Sequence, residues 1–88
     1  MKDLLLSMLR PFGPSGSEAP ISAAIAERIR PFVDEIKTDA LGNLIATRKG
    51  AGKKIMVAAH MDHIGFIVVA VEKEGYLRVM PVGGMGLA

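Results

Sequence analysis

The sequence predicts an α/β domain in which two N-terminal helices pack on a mixed β-sheet. Up to Phe32, apolar residues recur every three or four positions, which is the period of an amphipathic helix. Beyond Phe32, short runs rich in Ile and Val alternate with glycine-containing turns, a pattern typical of strands. The chain has 88 residues, half of them hydrophobic, so it has enough apolar side chains for one modest core.

The two helices are expected near residues 3–10 and 17–31. Pro11 should end the first helix, because the residue before a proline avoids the α region. Ser17 is the expected N-cap of the second helix, Pro20 fits its first turn, and Pro31 closes it. The side chains that we expect to pack on the sheet are those on the apolar helix faces, namely Leu5, Leu9, Ile21, Ile25 and Ile29.

Five strands are expected after the helices, near residues 34–39, 43–49, 54–60, 64–72 and 76–82. Residues 40–43 and 73–75 carry turn signals, so the flanking strands should form hairpins. The middle strand is apolar on both faces, as in strands that are covered on both sides, and Ile55 and Val57 should receive the helices. The last strand runs into glycines at 83–88, which suggests a chain that stops before its fold is complete.

Composition excludes several classes of protein. Lys and Arg number 11 against 9 Asp and Glu, the charges are interspersed, and aromatic residues are few, so a nucleic-acid-binding surface is not indicated. No apolar run is long enough to cross a membrane, and the short apolar start does not fit a signal peptide. Cysteine is absent, which is compatible with the reducing cytoplasm, where we expect this protein.

Polar chemistry appears abruptly at the end of the middle strand, where two histidines and a carboxylate follow within four residues. His60 and Asp62 are two positions apart, so an extended backbone projects both from one face. Open α/β sheets place ligand sites at the carboxyl ends of such strands. His60 is therefore a candidate metal ligand and Asp62 a carboxylate that could fix its imidazole. The alternative stays open, since a zinc site needs three or four ligands and a single histidine at a strand end is commonly only hydrogen-bonded.

Four sequence blocks together resemble the start of the tetrahedral metallo-aminopeptidases, metallopeptidase family forty-two. Some members of this family are described as glutamyl or deblocking aminopeptidases, and others as cellulase M or endoglucanase. The matching blocks, in order and at the family's spacing, are Pro14 to Glu18, Asp39 to Leu44, Ala59 to Phe66, and Val79 to Gly84.

The resemblance implies a catalytic α/β domain with a smaller β domain inserted into it. Residues 1–66 would be the N-terminal part of the catalytic domain, and residues 67–88 the start of the inserted domain, truncated here. It also implies a hydrolase that uses two divalent metal ions, zinc or cobalt, to remove N-terminal residues from peptides. His60 matches a metal ligand and Asp62 the carboxylate counted as catalytic, whereas His63 falls where the family varies and receives no role.

Family members are about four times as long, so the remaining ligands and the general base would lie outside this chain. We therefore expect the 88 residues alone to bind metal weakly or not at all and to be inactive. The alternative is a non-enzymatic, oligomerising β-rich module derived from the same fold. A glucanase is disfavoured because the chain has one Tyr and no Trp to line a sugar cleft. Unpaired strand edges also predict a homo-oligomer.

Overall fold

The computed structural model describes residues 1–84 and has an α/β architecture, as predicted. Its elements in chain order are α1 (Lys2–Leu9), α2 (Ala19–Ile29), a 3₁₀ turn (Arg30–Phe32), β1 (Glu35–Thr38), β2 (Leu44–Thr47), β3 (Gly65–Val71) and β4 (Leu77–Val82). The last four residues of the predicted glycine-rich end, 85–88, lie outside the described residues. Over the described part, no helix is both long and apolar enough to cross a membrane.

Both predicted helices are present, with shifted boundaries. Helix α2 begins at Ala19, and Glu18 rather than Ser17 is its N-cap residue. The Glu18 carboxylate turns away from the helix and accepts a hydrogen bond from the backbone N–H of Gly16 at 2.7 Å. Pro20 lies in the first turn, as expected. The Arg28 guanidinium donates to the Ser7 hydroxyl at 2.7 Å, and this contact joins the two helices.

The two predicted hairpins are confirmed. Strands β1 and β2 pair antiparallel from Glu35–Thr47 to Thr38–Leu44, and β3 pairs antiparallel with β4 with one irregularity near Val69. The β3–β4 turn depends on Gly75, whose φ of +90° lies in the left-handed region that side chains disfavour.

The expected strand at 54–60 is wrong, and with it the expectation of one mixed sheet. Residues 53–60 have neither helix nor strand structure, and Ile55 and Val57 are 89% and 91% exposed instead of covered by helices. The described strands form two separate two-stranded sheets. The physical reason is that a hairpin satisfies its hydrogen bonds locally, whereas a central strand needs neighbours on both edges, and residues 1–84 supply none beside this segment.

The described core is very small. Ile21, at 4% exposed, is its buried hydrophobic side chain, while Ile25 and Ile29 are half-buried and Leu5 and Leu9 are exposed. The accessible surface is 7843 Å², whereas a compact protein of this mass exposes about 5,000 Å². The radius of gyration is 17.2 Å, against about 12 Å for a compact chain of this length. Much apolar surface is therefore available to further protein.

Candidate functional site

Among residues 1–84, burial is concentrated at a junction between the loop that precedes α2 and the first turns of that helix. Gly13, Pro14 and Ile21 are buried there, and the Ile21 N–H donates to the carbonyl of Phe12 at 3.2 Å. A Cβ atom on Gly13 would lie 2.3 Å from Cγ2 of Ile21. Only glycine fits at this position, because such a separation is far inside van der Waals contact.

This junction also holds the segment that carries the candidate site residues. The loop and the segment form a parallel bridge between Pro14 and His63. The His63 N–H donates to the Gly13 carbonyl at 3.0 Å, and the Ser15 N–H donates to the His63 carbonyl at 3.3 Å. The backbone directly after Asp62 is thereby anchored to the buried loop.

His60 and Asp62 meet as their spacing predicts, although the segment is not part of a sheet. The His60 Nδ1 atom lies 3.0 Å from Oδ1 of Asp62 and 3.1 Å from the Asp62 backbone carbonyl oxygen. A carboxylate oxygen and a carbonyl oxygen can only accept, so Nδ1 carries the proton and donates to both. In the neutral ring the other nitrogen, Nε2, keeps its lone pair, and the His60 side chain is 86% exposed.

The electrostatics of the pair favour an ionised Asp62. The hydrogen bond from His60 holds the pKa of the Asp62 carboxyl below its ordinary value, partial desolvation opposes this, and the Ser15 hydroxyl lowers the pKa further. A carboxylate behind an imidazole fixes the tautomer and makes the opposite nitrogen a better metal ligand. His60 and Asp62 thus have the chemistry of one metal ligand with its support.

The described residues do not make a complete metal centre. Across residues 1–84 there is no group of three or more His, Cys, Asp or Glu side chains that could hold a metal ion. Two other carboxylates have local structural roles: Asp39 organises the β1–β2 turn, and Glu72 forms an ion pair with Arg78. The donor set therefore fits one position of a metal site, which further ligands must complete.

Sequence reasoning missed the part played by His63. Its ring accepts a hydrogen bond from the Gly13 N–H and faces the Ile64 carbonyl, so both nitrogens are engaged. Gly13 and His63 are 50 positions apart, and no local pattern connects them. The Pro14–Glu18 block contributes to the family resemblance and contains the expected N-cap, Ser17, but its contact with the site depends on the fold.

The sequence is similar to those of known aminopeptidases. A putative aminopeptidase of Acetivibrio thermocellus is 55% identical over 85 residues, which cover 97% of this chain and 26% of that protein. The lysyl aminopeptidase of Pyrococcus furiosus is 44% identical, over 94% of this chain and 24% of its own length. The chain thus spans about a quarter of these relatives.

Comparison of the fold with solved structures also finds an aminopeptidase. The crystal structure of a TET aminopeptidase from a Thaumarchaeota archaeon superposes with a TM-score of 0.85 at 38% identity, over 94% of this chain and 24% of that one. The sequence profile of the family described as M42 glutamyl aminopeptidase matches residues 42–87, more than half of the chain, and the protein belongs to this family.

Proposed function

We propose that the protein acts as a metal-dependent aminopeptidase in which Nε2 of His60 binds a metal ion and Asp62 is the carboxylate that orients His60. The observation that carries this proposal is the 3.0 Å contact between Nδ1 of His60 and Oδ1 of Asp62, which leaves Nε2 free to bind metal. Aminopeptidases among the relatives support the reaction class.

The substrates would be peptides with a free N-terminus, and the metals two divalent ions, zinc or cobalt. Such a centre supplies an activated water and polarises the scissile carbonyl. The residues of this chain would contribute one step of that arrangement: Asp62 holds the His60 proton on Nδ1 and keeps Nε2 basic. Because hydrolytic zinc sites use three protein ligands, we infer that the 88 residues alone bind metal weakly and do not turn over peptides.

The exposed apolar segment supports a second part of the proposal, association of copies of the chain. Ile55, Met56 and Val57 are consecutive apolar side chains, and each is close to 90% exposed. We also propose the division into a catalytic part, 1–66, and the start of an inserted domain, 67–88, a boundary that falls inside β3. A cytoplasmic location is consistent with the absence of cysteine.

The test uses the chain extended to the length of its relatives, with zinc titration and hydrolysis of an aminoacyl-anilide. His60→Ala should lose both zinc binding and turnover. Asp62→Asn should weaken zinc binding about 10- to 100-fold, the usual effect of losing a carboxylate behind a ligand. Glu74→Gln neutralises a carboxylate in the β3–β4 turn and is the matched control, which should leave both unchanged.

Zinc binding and turnover that survive His60→Ala would refute the proposal. An extended chain that associates but neither binds zinc nor cleaves the anilide would favour the non-enzymatic module, for which the exposed apolar surface is the supporting observation.

A further inference from the structure

The ring of His63 differs from that of His60 in that both of its nitrogens are engaged within the protein. Its Nδ1 atom lies 2.7 Å from the Ile64 carbonyl oxygen, which can only accept, so Nδ1 is protonated. Its Nε2 atom accepts the Gly13 N–H at 3.1 Å. The edge of the ring also contacts Phe12, with centroids 6.5 Å apart and planes at 86°. Both nitrogens are occupied, so His63 in this position is not available as a metal ligand.

The Gly13 N–H needs an acceptor from outside its own loop. It is part-buried, and a buried donor without a partner is strongly disfavoured. A side chain on residue 13 cannot rearrange to help, because a Cβ there would collide with Ile21. The acceptor comes from His63, across 50 positions of sequence.

Two backbone hydrogen bonds beside this ring contact fix the main chain next to Asp62. The main chain of His63 is bonded to Gly13 and Ser15, and Asp62 is the residue immediately before it. Both acceptors of the His60 Nδ1 proton, the side chain and the carbonyl of Asp62, belong to this anchored residue. Releasing the loop from position 63 would therefore free both acceptors together.

We propose that His63 is a positioning residue: by tying the Gly13–Ser15 loop to the segment beside the site, it holds Asp62 in place and thereby sets the tautomer of His60. This inference rests on the proposed function of His60 as a metal ligand. It assigns His63 no contact with metal or substrate.

The test measures the His60 tautomer in the metal-free 88-residue chain by imidazole ¹⁵N chemical shifts. Wild type should show His60 protonated on Nδ1. His63→Phe keeps a ring against Phe12 but removes the acceptor, and the ratio of the Nδ1–H to the Nε2–H form of His60 should fall about fivefold, the effect of losing one net hydrogen bond. His63→Gln retains an acceptor and should restore much of the ratio.

A purely structural role for His63 predicts a different result. His63→Phe would then lower the melting temperature and leave the His60 tautomer ratio at its wild-type value in the folded molecules, which are identified by the exchange protection of the Ile21 amide. That result would overturn the inference. If His63→Phe does not fold, the wild-type protein decides: a ¹⁵N–¹⁵N coupling across the hydrogen bond between Gly13 and His63 supports the inference, and its absence overturns it.

Zinc titration of the extended chain separates this inference from the proposed function. Suppose that the His60 tautomer ratio changes in His63→Phe but the lengthened protein binds no zinc. The proposed function would then be refuted, and the positioning role of His63 would stand. If zinc binds through His60 and the His60 tautomer ratio is unchanged by substitution of His63, only the positioning role is refuted.

Discussion

Val57 lies in the apolar segment 54–60 with 91% of its surface exposed, and Leu41 lies in the β1–β2 turn with 90% exposed. If this apolar segment is the surface through which copies associate, Val57→Lys should weaken association far more than Leu41→Lys. Burying a valine side chain is worth about 1.5–3 kcal/mol, so losing it should raise the dissociation constant roughly 10- to 100-fold. Both variants add one positive charge to an exposed apolar position, which makes them a matched pair.

Light scattering after size-exclusion chromatography, across a dilution series, would measure this difference. Wild type and Leu41→Lys should be associated at tens of micromolar, and Val57→Lys should be shifted towards monomer. Equal effects of the two substitutions would show that association is non-specific. A clean wild-type monomer over the whole series would refute the argument from exposed area, and with it the expected homo-oligomer.

Three further predictions concern local structure. Hydrogen bonds from Asn43, the largest contribution coming from its side chain, hold the pKa of Asp39 below its ordinary value. The stabilisation that the Asp39 carboxylate gives to the β1–β2 turn is therefore complete at pH values above the ordinary pKa. It is lost as the pH falls through the lowered pKa. The protection of the Asn43 amide against exchange, taken relative to its intrinsic rate at each pH, should fall over that acidic range, and Asp39→Ala should lack this protection at every pH. Gly13→Ala should destabilise the lengthened protein by about 1–3 kcal/mol in urea unfolding, because the new Cβ overlaps Ile21. In the Ile21→Ala background the same substitution should cost less. Equal costs in the two backgrounds would contradict the contact. Gly75→Ala should cost about 1 kcal/mol through its φ of +90°, and an unchanged melting temperature would show that the turn readjusts.

The site was partly predictable because one of its contacts is local. His60 and Asp62 are two residues apart, and their spacing alone allows the two side chains to meet, whatever sheet surrounds them. What the pattern could not supply was the contact that anchors them. His63 reaches Gly13 across 50 positions, and no sequence periodicity specifies a pairing over that distance.

The sequence by itself determined the elements whose hydrogen bonds close locally. Helical spacing located α1 and α2, and turn residues located the two hairpins, because in each case bonding partners lie within a few residues along the chain. Tertiary structure alone decided the state of residues 54–60 and the place of the core. A strand exists only beside a partner that bonds it. An apolar run typical of a central strand therefore stays unpaired and exposed where residues 1–84 supply no neighbour. Burial likewise depends on contacts between distant segments, which is why it concentrates at Gly13, Pro14 and Ile21 rather than along the helix faces.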